Sequence, residues 1–534
     1  MKRVFLQNNR GFAWYSSANC FAKGYLFDAM GNFYQGKKLL TYFDGIDSFS
    51  DLEEKVKYAS GVFSVICKAD EELFVAIDSI RSFPLFYIRT KGQWLISDNA
   101  YFLAETSETR ELNNLAVNEF LATGYVTGDE TLLEGIRQVQ AGEIIHFKED
   151  DLNRKFYFSY RISKAIDEPY EKLRIAGIQV FERAFDRFIG SVQGKTVVVP
   201  LSGGYDSRLI ATVLKKSGFT DVVCFTYGRK DNPEAEISQK VAENLGFKWY
   251  FIEYTDELIR DFVHSDVFLE YYPSGSNLTS MFYLQEYFAV KYLKDHSIIS
   301  ENSVFVPGHS GDFLGGSQLN KHENFSLEES LVDIAERIFR VKYSYFQPDK
   351  KEVENLVERI MKNLQEKFVR EADYAYSIHE DWDFKEKLAK FNFNSNSIYT
   401  FFGYEFRIPY WDRELVEFFQ HLPVSAKLNK YLYDDILTSE YFEPYGLNFK
   451  NELQPRETDF QKQKVREVIK STLPPAVTDK LVKKKDNICY LEITELLRSD
   501  LEKRGIQFKF FGNKYNSIII RWYIEDVKIR FGLK

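Results

Sequence analysis

Cysteine is scarce: Cys20, Cys67, Cys224 and Cys489 are the four in 534 residues, far apart and with no CxxC pair. That spacing argues against a disulfide framework and against a cysteine zinc site. Free thiols suit a reducing compartment. No apolar run approaches the ~20 residues that cross a bilayer. The opening MKRVFLQNNRGF lacks the apolar stretch of a secretory signal. A cytoplasmic protein with no membrane partner is expected. Basic charge is also short: 70 Lys and Arg stand against 79 Asp and Glu, a formal net charge of −9. With no basic arm or stripe, the chain lacks the positive footprint that nucleic-acid affinity requires, so no nucleic-acid partner is expected. Internal repeats and low-complexity tracts are missing too.

What is present is the mix of an ordinary globular protein, 44% hydrophobic and 28% charged. At this length one hydrophobic core does not suffice, so two or more domains are expected. Residues 1–165 hold short apolar runs such as GVFSVICKAD, ELFVAID, FPLFYIRTKGQWLIS and GEIIHFKEDDLNRKFYF, divided by polar or glycine-containing turns. LEEKVKYAS and NNLAVNEFLATGY have helical spacing. Strands mixed with helices in this way predict an α+β or layered domain. The polar, proline-bearing YRISKAIDEPYEKLR marks the junction.

After it the pattern becomes strand–helix–strand. KTVVVPLSGGYDSRLIATVLKKSG reads as a buried strand, a glycine turn and a helix, and DVVCFTYG and KWYFIEY read as further strands. NPEAEISQKVAENLG is a helix with proline at its start and glycine past its end. This alternation predicts a doubly wound parallel sheet. Beyond Tyr271 the sequence is mainly helical, as in SLEESLVDIAERIFRV and KKEVENLVERIMKNLQEKFV.

VVVPLSGGYDS carries the chemistry. Glycines at a strand-to-helix turn let the backbone approach an anion, and N–H groups and the helix dipole point at it. Ser202 and Ser207 add hydroxyls. Asp206 cannot favourably face phosphate alone, so Mg²⁺ between the two is expected. The string is neither a Walker A loop nor GxGxxG. A tight turn that happens to hold Gly-Gly is the competing account, and the whole SGGxDS string between strand and helix weighs against it.

SGGYDS resembles the pyrophosphate loop of the ATP pyrophosphatase superfamily. VFVPGHSGDFLGG, YEFRIPYWDRELVEFFQHLP, DETLLEGIRQVQAGEIIHF and AIDSIRSFPLFYIRTKGQWLIS, at 304–316, 404–423, 129–147 and 76–97, resemble in order the segments of the asparagine synthetase family, which includes β-lactam synthetases and lasso-peptide cyclases. The resemblance implies a glutaminase-like α+β sandwich of the Ntn type over 1–165, followed by an ATP-binding ligase domain over 166–534 with a doubly wound sheet and a large helical part. It implies ATP and Mg²⁺ as cofactors and an acyl-adenylate formed as pyrophosphate leaves. Ser202, Gly203, Gly204, Asp206 and Ser207 would hold pyrophosphate and Mg²⁺, and Asp312 would be the second Mg²⁺ ligand, with a helix cap as its alternative. Leu201 and Gly308 would line the adenosine site through their backbones. Glu405, Arg407 and Asp412 match the family's Glu-x-Arg-x-Pro-x-x-Asp segment, of which Glu405 and Arg407 are expected to form a buried pair that orders the helical part, and none is expected to be catalytic. A late lysine of the family meets the α-phosphate, and Lys484 and Lys485 are its candidates.

Departures from the family pattern shape the reading. The family glutaminase uses a cysteine freed at the N-terminus, whereas residue 2 here is Lys2 and Cys20 is internal. A lysine cannot form the thioester, so this domain is not expected to supply ammonia from glutamine. His309 stands where asparagine synthetases have a glutamate and β-lactam synthetases a tyrosine, and an imidazole there is a candidate general base. Asn392, Asn394, Ser395 and Asn396 occupy the stretch that carries the β-lactam glutamate. The expected function is an AMP-forming amide ligase. It would join a small-molecule or peptide carboxylate to ammonia or an amine, drawn from solvent or another subunit. An intramolecular cyclase and a non-catalytic ATP-binding scaffold are the alternatives.

Overall fold

The computed structural model describes residues 3–108, 110–319, 329–345, 348–366, 373–449, 486–506 and 515–533. The N-terminal strands are β1 (Arg3–Phe5), β2 (Tyr15–Ser16), β3 (Cys20–Phe27), β4 (Phe33–Gln35), β5 (Ser60–Ala69), β6 (Glu72–Ile77), β7 (Phe86–Thr90), β8 (Gln93–Ser97), β9 (Arg137–Gln138), β10 (Glu143–Phe147) and β11 (Leu152–Phe156). They form two sheets, β1-β8-β7-β9 and β11-β10-β6-β5-β3-β2, with β4 added to β3.

The period of two in these strands separates two cores. Ile66, Leu73, Val75, Ile77, Ile145 and Phe147 face the four-stranded sheet and bury Leu85, Tyr87 and Ile96. Their alternates Val65, Cys67, Phe74, Ala76 and Ile144 face the other way, onto Leu39, Leu52 and Val56. Those three belong to the helices Lys37–Tyr42 and Phe49–Lys57. Cys20 and Cys67 sit directly opposite each other on β3 and β5, buried, with their sulfurs 3.4 Å apart.

From Phe156 to Tyr170 the chain runs without helix or strand. The helix Tyr170–Ser191 then leads into β12 (Thr196–Pro200), β13 (Val222–Gly228), β14 (Lys248–Glu253), β15 (Ser303–Phe305) and β16 (Glu405–Phe406). All pair in parallel, in the order β14-β13-β12-β15-β16. Strand order reverses at β12, and the crevice beyond the carboxyl end of such a strand is where open α/β sheets bind ligands. The sequence predicts β12, β13 and β14. It reads the region after Tyr271 as helical, yet β15 and β16 lie there: at three and two residues they are too short to show a period.

A buried polar helix joins the two halves. The helix Ala375–Asp383 runs on as a π-helical segment, Phe384–Asn392. Glu380, Asp381, Asp383, Lys385, Glu386 and Lys390 are all buried, a state tolerated only when charges are paired. Lys427 pairs with Glu380 at 2.7 Å, Arg161 with Asp381 at 2.9 Å, and Lys390 with Glu386 at 2.7 Å. Tyr160 N–H donates to Asp381, Gly128 N–H donates to Glu386, and Lys390 Nζ donates to the carbonyls of Val126 and Gly128.

Candidate active site

The loop between β12 and the helix Tyr205–Lys216 is organised by its own serines. Ser202 N–H donates to Ser207 Oγ at 3.1 Å, and Gly204 N–H donates to Ser202 Oγ at 3.2 Å. Gly204 is exposed and caps the helix with backbone alone. The exposed N-terminus of a twelve-residue helix, with no side-chain cap, suits an anion. Leu201 lies behind this loop, buried; its N–H donates to Phe225 O and its carbonyl accepts from Thr226 Oγ1. Its backbone is thus engaged in the sheet and does not line the cleft.

The second segment docks onto the first through glycines. A Cβ on Gly308 would lie 2.6 Å from Ser207 N and 2.9 Å from Asp206 C. One on Gly311 would lie 2.8 Å from Asp206 Cγ and would collide with the Tyr433 hydroxyl. Gly315 meets the Tyr433 ring and Gly316, at φ +99°, the Lys427 carbonyl in the same manner. The glycines of GHSGDFLGG therefore let two chain segments touch at atomic contact. The result is a direct bond: Asp312 N–H donates to Asp206 Oδ2 at 2.9 Å. Tyr433 donates to Asp206 Oδ1 at 2.8 Å and Tyr410 to the Asp206 carbonyl at 2.8 Å.

Burial, and next the charge of Asp312, push the Asp206 carboxyl up to about 7. A buried carboxylate beside a like charge resists ionisation until a cation joins it. Their hard oxygen donors fit Mg²⁺, since each bonded Asp206 oxygen keeps a second lone pair and Asp312 is exposed. Among the described residues no cluster of three or more acidic, histidine or cysteine side chains forms a metal cage. A cation here would therefore also draw ligands from phosphate.

The loop and Asp312 open on a cleft of about 710 Å³, which Glu286, Pro307, Gly308, His309, Lys430 and Asp434 also line. Lys430 pairs with Asp434 at 2.9 Å and lies 5.5 Å over the Tyr205 ring. Asn429 and Lys430 both have φ of 58°, a left-handed pair that costs non-glycine residues about 1–2 kcal/mol each. Such strain concentrates at functional sites. In sequence, Lys430 and Asp434 look like an ordinary i,i+4 surface pair, which is why sequence reading passes over them.

His309 is partly buried, and that burial lowers its imidazole to about 4. It is neutral at pH 7. Ser395 Oγ gives its one proton to Asn392 O at 2.6 Å and so accepts from His309 Nε2 at 3.0 Å. That leaves Nδ1 as the nitrogen with the lone pair. A value near 4 departs from the near-neutral base that the unperturbed side chain suggests, so His309 is a weak proton acceptor. Glu286, unremarked in the sequence, receives the Tyr399 hydroxyl at 2.5 Å, and burial raises its carboxyl to about 7.

Other sequence candidates fall elsewhere. Lys484 and Lys485 lie outside the described residues. Glu405 binds Lys195, Arg407 and Gln35; Arg407 is buried over Tyr25; and Arg187 grips Asp412 with two bonds. None of the three lines the cleft.

A glycine-rich turn at the switch point of a parallel sheet, with Asp206 and Asp312 beside it, has the layout of an anion-binding site in an open α/β fold. The sequence profile of the asparagine synthase family matches residues 179–490, more than half of the chain, and that of the glutamine amidotransferase domain matches 52–158. The chain belongs to the asparagine synthase family, a family of ATP-dependent amide-forming ligases. No curated protein sequence matches it. Solved structures resemble parts of it. NMN synthetase from Francisella tularensis is 12% identical over 36% of this chain and 71% of its own, with a TM-score of 0.19. NH3-dependent NAD synthetase from Campylobacter jejuni subsp. jejuni is 18% identical over 38% and 98%, with a TM-score of 0.21. A predicted subunit of tRNA methyltransferase from Methanocaldococcus jannaschii is 19% identical over 30% and 73%, with a TM-score of 0.15. Among the described residues no helix is long and apolar enough to cross a membrane.

Proposed function

We propose that the chain adenylates a substrate carboxylate with ATP and transfers the acyl group to ammonia or an amine, releasing AMP and pyrophosphate. The observation that carries this reading is the contact between Asp206 and Asp312 beside the glycine turn of Gly203 and Gly204. A carboxylate oxygen of the substrate attacks the α-phosphorus, and the bond to the bridging oxygen breaks. The Gly203 N–H and the Ser202 and Ser207 hydroxyls receive the departing pyrophosphate, on a loop that the Ser202 and Gly204 N–H groups brace from within. Asp206 and Asp312 would hold Mg²⁺, which supplies positive charge against the triphosphate. Lys430 is placed to add a cation at the same end, and Lys484 and Lys485 remain candidates for the α-phosphate. Gly308, which packs on Ser207 and lines the cleft, would meet the nucleotide with its backbone. The acyl-adenylate then meets the nitrogen, and AMP leaves.

In the N-terminal domain, the described cysteines Cys20 and Cys67 are buried within a sheet. Neither sits beside a free α-amine to serve as an amidohydrolase nucleophile, so we assign the nitrogen to solvent ammonia, a substrate amine or another subunit.

The test is the nucleotide product. With ATP, Mg²⁺, ammonium and pooled carboxylates, AMP and pyrophosphate should form, and Asp206→Ala should lower the rate at least about a hundredfold, the scale of losing a transition-state charge contact. ADP as the product, lost in the same variant, would sink this mechanism.

A further inference from the structure

Four of the described acidic side chains line the cleft: Asp206, Asp312, Asp434 and Glu286. The partner of Glu286, Tyr399, follows the partner of His309, Ser395, by four residues of helix, whereas Asp206, Asp312, Asp434 and Lys430 interact with one another. Glu286 is 8% exposed. Among the described residues no lysine, arginine or histidine forms an ion pair with it; the Tyr399 hydroxyl donates to it. The charged and titratable groups that sense it are the phenols Tyr227, Tyr254, Tyr283 and Tyr399, all held neutral because burial raises them.

A helix cap would be the plain explanation for a carboxylate in this place, since Glu286 precedes the helix Tyr287–Asp295. The side chain makes no capping bond. That role is filled by Tyr254, whose hydroxyl accepts from Ala289 N–H and donates to Gln285 O. A buried carboxylate that lines a cleft and whose described partner is a single neutral donor on one oxygen is short of a cation.

We propose that Glu286 binds the attacking nitrogen as an ammonium group and takes its first proton. The inference rests on the ligase reading above and names the group that handles the amine in it. The nitrogen arrives as R–NH3⁺ and forms a charge-assisted hydrogen bond to the carboxylate. One proton passes to Glu286, leaving R–NH2 with a free electron pair. That pair forms the C–N bond to the acyl carbon. The C–O bond to AMP breaks, and AMP leaves with its electrons. A second proton passes from nitrogen to water, which leaves the amide N–H. His309 Nδ1, neutral and in the same cleft, can accept a hydrogen bond from the amine but does not carry its charge.

Propylammonium is the probe, titrated calorimetrically into the whole protein at pH 8 with AMP and Mg²⁺ present. 1-Propanol, similar in shape and uncharged, is the control. Wild type should bind propylammonium at least about tenfold more tightly than 1-propanol, a difference of about 1.4 kcal/mol. Glu286→Gln should lose that preference, and Glu286→Asp should regain part of it, which a purely structural role would not produce. Equal affinity for the two probes in wild type, or an unchanged preference in a folded Glu286→Gln, overturns the proposal. Should Glu286→Gln not fold, the comparison of probes in wild type and in Glu286→Asp decides alone. AMP release in the same preparations tests the ligase reading separately, so either can fail without the other.

Discussion

A single carboxylate shows how this site trades stability for chemistry. Glu286 is raised from 4.5 to about 7 by burial, so the fold prefers it protonated. Its favourable contribution is complete below pH 4.5 and is lost as pH rises through 7. In the unfolded chain it ionises freely from about 4.5. Between those values the folded state binds more protons, and stability falls as pH rises, by up to about 3 kcal/mol. Glu286→Gln, which carries no charge at any pH, removes this loss. Urea unfolding at pH 5 and pH 8 should therefore show the variant gaining on wild type by about that amount at the higher pH. An equal difference at both pH values would show that Glu286 ionises as readily in the fold as in water. Sequence reading could not reach this residue. LQEYFAV looks like any apolar helix start, and only the approach of Tyr399 from more than a hundred positions away makes its glutamate special. SGGYDS, by contrast, was legible because all of its chemistry is local: strand, glycines, hydroxyls and helix start lie within one short run. Asp312 was legible through resemblance, but its contact with Asp206 is set by glycines whose role appears only once the segments meet.

At the scale of elements, apolar period was a sufficient guide wherever a helix or strand keeps one face to water or to one core. The strands of the N-terminal sheets and the helices on the parallel sheet follow it. It fails at 375–396, where HEDWDFKEKLAK reads as a solvated helix face yet is buried between the halves of the molecule. The charges there satisfy partners that the sequence does not bring near: Lys390, with a side chain 0% exposed, serves Glu386 and two carbonyls of the N-terminal part. The widened turn of a π-helical stretch is a form that recurs at functional sites. Lys390→Met leaves Glu386 buried with less compensation, and breaking one side of such a pair costs about 3–5 kcal/mol. Lys240→Met, in the exposed i,i+4 pair with Glu236, should leave stability unchanged within error. Equal urea midpoints for the two variants would mean that the buried network is relaxed by water and carries no such load.

At the scale of the whole molecule, the two parts that sequence composition divides share one interior. A single continuous apolar cluster contains Phe12, Tyr25 and Phe86 from the N-terminal sheets, Val198 and Leu209 from the nucleotide fold, and Ile519 and Trp522 from the last helix. Polar ties cross the same boundary. Gln35 bonds both Glu405 and Arg407, and Tyr101 bonds Tyr523 at 2.8 Å. Independent domains meet across modest, more polar interfaces and move relative to one another by default. Here the junction is apolar at its centre, with charged pairs inside it that lose their partners if the halves part. The N-terminal part thus packs with the nucleotide fold as one interior. Calorimetric melting of the full chain should then give one transition that includes both parts, with the calorimetric enthalpy equal to the van't Hoff enthalpy. Lys390→Met should lower that single transition as a whole. Two separated transitions in the wild type, the first of which loses only the N-terminal sheets, would show that the shared interior does not couple them.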